Sequence, residues 1–119
     1  MRHRVKKHLH LSGMDKAQRK SAVRNLLTGL FTHQSIQTTE KRALAIEPIA
    51  HRLIEVANSD HSEYNKIRMI GSIFFTKDAS VSLLTLATKY KDQNGGYTRI
   101  TPIKFRDGDG AKLVRIELV

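Results

Sequence analysis

Apolar residues recur at intervals of three and four over much of the chain and then change to alternation near its end. Val23, Leu26, Leu27, Leu30 and Phe31 mark one face of a helix predicted from Asp15 to Thr32. Ser12 with Asp15 resembles a capping box ahead of it. Ala43, Ile46, Ala50, Leu53, Ile54 and Ala57 mark a second helix, Glu40 to Asn58, with Thr39 as N-cap and Glu40 suited to the positive end of the dipole. Pro48 lies inside it and removes a hydrogen bond toward Leu44, so a kink or break is expected there. Between the two, "HQSIQTT" is a short β-prone link.

The middle of the chain predicts two shorter helices. Ser59 or Asp60 caps one that carries Tyr64, Ile67, Ile70 and Phe74 at helical spacing, a pattern weakened by Gly71. Asp78 or Ser80 opens the next, with Val81, Leu83, Leu84 and Leu86 as its apolar residues. Asn94-Gly95-Gly96 ends the helical region. Beyond it, "YTRITPIKF" and "KLVRIELV" are β-branched and aromatic, and "DGDG", Asp107 to Gly110, joins them as a hairpin. Val114, Ile116 and Leu118 alternate with Arg115 and Glu117, as in a half-buried strand. Pro102 cannot donate to a ladder and belongs at a sheet edge. The expected fold is α+β: a basic N-terminal arm over residues 1–13, then one body over residues 14–119 in which about four helices pack against a small antiparallel sheet.

Composition changes this picture mainly through charge. The chain of 119 residues is 39% hydrophobic and 27% charged, which suits one folded domain. It has 21 Lys and Arg against 11 Asp and Glu, for a net charge of +10. Residues 1–24 hold eight of those cations and one acid, Asp15. A small protein this basic has a polyanionic partner as its first expectation. No apolar run reaches the ~20 residues of a membrane span, and no apolar segment follows the N-terminal charges as in a signal peptide. The absence of cysteine excludes disulfides and thiolate metal sites.

Catalytic and metal motifs are missing from the sequence. The six histidines form no H-E-x-x-H, and no Walker loop or G-x-G-x-x-G is present. Asp107-Gly-Asp109-Gly lacks the third early ligand and the closing glutamate of a calcium loop. No enzyme activity, metal, cofactor or small-molecule substrate is therefore expected. Binding chemistry is richer. Arg2, His3, Arg4, Lys6, Lys7, His8 and His10 give the arm a dense set of phosphate donors. Lys16, Lys20 and Arg24 recur every four residues as a cationic stripe on the first helix, with Arg19 beside them. In "GGYTRI", Gly95 and Gly96 permit close backbone approach to a ligand. Tyr97 can stack on an unpaired base, and Arg99 can fork onto a phosphate or base edge, with Thr98 between them. The same tract can equally be a glycine helix stop leading into a strand whose tyrosine packs on the core.

Several stretches resemble one family. "MRHR", "RNLLTGL", "IQTT" followed by Lys41 and Ala43, "EPIAHRLI", "GGYTRI" and a terminal "IELV" occur in the order and register of the bacterial large-subunit ribosomal protein L17 family, over nearly the whole chain. The resemblance implies a structural protein of α+β fold that binds 23S ribosomal RNA near the polypeptide exit tunnel. It implies contacts with neighbouring large-subunit proteins and no catalysis or membrane. It also gives the arm and the basic first helix an RNA-facing role, and Gly95 to Arg99 a shared role of packing and RNA approach together. The chain departs from the family pattern in "KKHLHLSGMDKAQRK", about two residues longer than usual, where Gln18-Arg19 stands in place of His-Arg. "YKDQNGGYTRI" is similar to the mitochondrial branch; without a transit-like extension, the expectation is a bacterial protein of the cytoplasmic ribosome, ahead of a mature organellar one. The alternative from another class is a free basic DNA- or RNA-binding module of the nucleoid type.

Overall fold

The computed structural model describes residues 15–119. The elements in chain order are α1 (Lys16–His33), β1 (Ser35–Thr39), α2 (Glu40–Ala57), α3 (Glu63–Gly71), α4 (Lys77–Lys89), β2 (Thr98–Phe105) and β3 (Lys112–Leu118). The strands form one antiparallel sheet in the order β1-β3-β2. The expected α+β architecture is present, and the β-prone link is a full strand that flanks the hairpin. Ile36 lies opposite Ile116, and Ile100 lies opposite Ile116 from the other side. One face of the sheet thereby contributes a row of apolar side chains to the helices.

The helix starts differ in part from those expected. The capping box of α1 is Asp15 with Gln18: Asp15 Oδ1 accepts from the Gln18 N–H at 2.8 Å, and Gln18 Oε1 accepts from the Asp15 N–H at 3.3 Å. Ser12 lies outside the described residues. The third helix is capped by Ser62, not Ser59 or Asp60, through the Asn65 N–H at 3.3 Å. The Ser59 hydroxyl instead donates to the Val56 carbonyl at the end of α2. Thr76 rather than Asp78 or Ser80 caps α4. Of the kink or break expected at Pro48, the break does not occur. Helix α2 runs through it with the proline exposed, and an exposed site is where water can serve the carbonyl that Pro48 leaves free.

The core lies where α1, α2, α4 and the sheet meet. Leu27, Leu30 and Phe31 of α1 face Ala43, Ile46, Ala50 and Ile54 of α2, with Val114 and Ile116 from β3 beneath them. Phe74, between α3 and α4, meets Phe31 edge-on at 5.4 Å between centroids. Helix α3 is short and buries only Ile70. Tyr64 and Ile67, expected on its inner face, are exposed, as is Val81 of α4. Helix α3 has only 9 residues, and Val81 lies two positions from buried Ala79 and from buried Leu83, on the opposite side of α4.

The C-terminus locks sheet to helices. The Leu118 N–H donates to the Gln34 carbonyl at 3.0 Å, just past α1, and the Val119 N–H donates to the Tyr97 carbonyl at 2.9 Å. The Tyr90 hydroxyl, at the end of α4, donates to the Val119 carbonyl. Burial raises the Tyr90 phenol above its ordinary pKa, so it remains a donor. Pro102 lies on β2, an edge strand as expected, next to an irregularity in register between Pro102 and Lys104. At the hairpin tip the Arg106 guanidinium grips the Asp109 carboxylate at both ends and holds it well below the usual carboxylate range.

The alternation on β3 is testable. Ile116 is fully buried and Arg115 is exposed. Ile116→Asp is expected to destabilise by about 3 kcal/mol and Arg115→Asp by less than about 0.5 kcal/mol, read from urea midpoints. Equal midpoints would mean the register is wrong. Gly96 has φ +68°, and an added Cβ there would meet nothing closer than Gln93 Nε2 at 3.7 Å. Backbone conformation, not space, thus requires glycine. Gly96→Val is expected to destabilise by about 1–2 kcal/mol. Gly96→Asn should cost less, because Asn tolerates the left-handed region.

Candidate nucleic-acid interface

Among the described residues, exposed cations are spread over several elements, and two groups of them coincide with positions singled out from the sequence. The first lies on the N-terminal half of α1. This helix contains no Asp or Glu, and its acidic N-cap Asp15 stands against Lys16, Arg19, Lys20 and Arg24. Side chains four apart stack along a helix, so Lys16, Lys20 and Arg24 form one row. Arg19, Val23 and Leu27 form the next. Lys16 and Lys20 are exposed.

Arg24 is different. Its Nε–H donates to the Ile73 carbonyl at 2.9 Å, and its guanidinium lies 4.4 Å from the Phe75 ring centroid. One turn further along α1, the Thr28 hydroxyl donates to the Arg24 carbonyl at 2.7 Å and accepts from the Phe75 N–H at 3.1 Å. Arg24 and Thr28 therefore fasten α1 to the segment between α3 and α4. Periodicity alone could place Arg24 in the cationic row but could not show that it is committed to a partner 49 residues away.

The second lies on the outer face of the sheet, where Arg99 and Arg115 are exposed on neighbouring strands. Arg99 lies directly opposite Glu117, with Nη1 3.6 Å from Oε1. At such exposure the pair is worth little on its own, so the guanidinium is held loosely. Lys112 pairs with Glu40 of α2 at 2.9 Å.

The "GGYTR" tract resolves into separate roles. Tyr97 is only 4% exposed. Its ring meets those of His51 and Tyr90 edge-on, each at 5.3 Å, and its hydroxyl donates to the Gln93 carbonyl at 2.9 Å. The surface stacking platform expected of Tyr97 is therefore not presented; the residue belongs to the core. Thr98 is also committed inward. Its hydroxyl donates to Glu47 Oε2 at 3.0 Å, which leaves the oxygen to accept from His51 Nε2, also at 3.0 Å. Gly95 and Gly96 both have positive φ, and their carbonyls accept from Gln93 Nε2 at 2.9 and 3.2 Å. This is the helix-stop and strand-entry reading of the tract. Only Arg99 of these five residues directs a charged side chain outward to solvent.

Arg2, His3, Arg4, Lys6, Lys7, His8 and His10 lie outside the described residues. Sequence reasoning missed a groove beside the cationic rows of α1, with Ile49 of α2, Ser72 and Ile73 as its far wall. Ile49 falls just off the buried stripe of α2, and no local signal marks it as a surface shared with α1.

The family model for ribosomal protein L17 matches residues 22–119, which leaves the start of α1 and everything before it outside the match. The large ribosomal subunit protein bL17 of Desulforudis audaxviator is 36% identical over 108 residues, covering 90% of this chain and 95% of that protein. Its counterpart from Chloroflexus aurantiacus is 41% identical over 110 residues, covering 92% and 93%. That of Clostridium botulinum strain Loch Maree is 42% identical over 104 residues, covering 86% and 89%. With near full-length matches on both sides, the chain belongs to the ribosomal protein L17 family, a family of structural ribosomal proteins and not of enzymes.

Proposed function

We propose that this protein is a structural constituent of the large ribosomal subunit that binds 23S ribosomal RNA near the exit tunnel and contacts neighbouring large-subunit proteins. The family resemblance implies the RNA, its location and the protein neighbours. The cytoplasm of a bacterial cell is the corresponding location. The observation that carries RNA binding is the charge of residues 1–24 and its continuation onto α1. Cations in the first turns of a helix oppose its dipole. A helix free of acids that opens with Lys16, Arg19 and Lys20 is therefore arranged against its own stability. A polyanion along that surface reverses the sign of the effect.

In this reading, residues 1–13 are an RNA-binding arm and residues 14–119 the globular body. The arm supplies phosphate neutralisation, and the rigid body fixes where the arm begins. Arg99 adds a guanidinium on a second face. Tyr97, Thr98 and the two glycines act at one remove, by holding the start of β2 in place.

Deletion of residues 2–13 tests the division of labour. Every described core residue lies beyond the deletion, so the helical circular-dichroism signal is expected to persist. Affinity for large-subunit RNA should fall, with the salt slope reduced by roughly 0.7–0.9 for each phosphate that the arm no longer neutralises. An unfolded truncation would show instead that the arm is part of the core. Sucrose-gradient fractionation of the full chain checks the assignment itself. Comigration with the large subunit after a high-salt wash is expected, whereas a free nucleic-acid-binding module of the nucleoid type would wash off.

A further inference from the structure

The groove beside the cationic rows of α1 has a volume of about 490 Å³. Its floor is aliphatic: Val23 and Leu27 from α1, Ile49 from α2, and Ile73 from the turn after α3. Its rim is cationic, with Lys16, Arg19 and Lys20 along one lip. Among the described residues, none that lines it is acidic. Arg24 closes one end, held there by its bond to the Ile73 carbonyl. The groove is thus a built feature whose two walls are tied together.

Two chemistries are combined within a few ångströms. The rim suits an anion, while the floor suits a flat or apolar group that has left water. A nucleic-acid duplex satisfies only the first, because it turns its phosphates and sugars outward and keeps its bases stacked. An ordinary apolar protein segment satisfies only the second. An unstacked nucleotide satisfies both, since its base has an apolar face and its flanking phosphates carry charge. Lys16 and Lys20, one helical turn apart, can each reach a different phosphate.

We propose that this groove receives one unstacked nucleotide of single-stranded RNA, its base against Val23, Ile49 and Ile73 and its neighbouring phosphates on Lys16 and Lys20. The proposal rests on the RNA-binding reading above and gives it a form: recognition of a bulged or looped nucleotide, in addition to charge neutralisation.

The test uses the full chain with two probes, an oligouridine of about twelve nucleotides containing 4-thiouridine and an RNA duplex of similar length. Photo-crosslinks from the oligouridine are expected on peptides containing residues 16–27 or 72–73. Val23→Gln keeps every charge and should weaken oligouridine binding about tenfold, with its salt slope and the duplex affinity unchanged. The double variant Lys16→Ala/Lys20→Ala should instead lower the oligouridine slope by about 1.4. Should Val23→Gln fail to fold, Ile49→Gln tests the opposite wall, and crosslinking of the parent needs no variant. Crosslinks confined to the hairpin, equal affinity for duplex and oligouridine, or an unaffected Val23→Gln would overturn the groove while leaving general RNA binding intact. Displacement of the oligouridine by polyglutamate at matched charge and salt would make the groove a protein dock and overturn it too. No binding of either probe by the parent would overturn the RNA reading itself, and the groove with it.

Discussion

The contact of Tyr90, Tyr97 and His51 joins the helical layer to the sheet, and the remaining geometry depends on it. Tyr90 ends α4, Tyr97 precedes β2, and His51 comes from the middle of α2. The Tyr90 hydroxyl and the Tyr97 carbonyl hold the two sides of Val119. Three distant segments and the last residue of the chain are thereby fixed at one point. Aromatic side chains suit this task because each combines a large buried surface with a polar tip that must find a partner. The sheet has only three strands, and two of them are edges. The anchor adds to the packing of Val114 and Ile116 against the helices by tying the start of the edge strand β2 to α2 and α4.

The arrangement of charge follows a different logic. The core and its caps favour folding throughout, yet α1 opens with cations at the positive end of its dipole. The Asp15–Gln18 capping box offsets part of that cost by satisfying two backbone donors. Arg24 and Thr28 stabilise the helix further by bonding to the segment before α4. These local devices let the exposed end of α1 remain strongly basic while the buried end, Leu27 to Phe31, packs as an ordinary core helix. The helix thus divides along its length, with one half packed in the core and the other carrying exposed cations.

Geometry divides the "GGYTR" tract among several roles. Packing explains Tyr97 and Thr98, backbone conformation explains Gly96, and only Arg99 is directed outward. A residue can therefore belong to a family's motif because it shapes a strand, without itself facing outward.

The sequence alone determined what depends on near neighbours in the chain. The apolar periodicity of α1 and α2, the hairpin at "DGDG", the alternation through Val114 and Ile116 and the concentration of cations before residue 25 are all local properties. The motifs that resemble the ribosomal protein L17 family were legible for the same reason. Tertiary structure decided what depends on distant partners. Whether Tyr97 is a stacking platform or a core residue turns on His51 and Tyr90. Arg24 is a tether rather than another surface charge because the Ile73 carbonyl lies in reach. Tyr64, Ile67 and Val81 belong to apolar patterns but remain exposed, because nothing among the described residues covers their side of α3 and α4. The groove beside α1 could not be read from any one segment, since its walls come from three. Periodicity identifies which side chains share a face, but burial depends on what packs against that face, and that is settled only when the chain has folded.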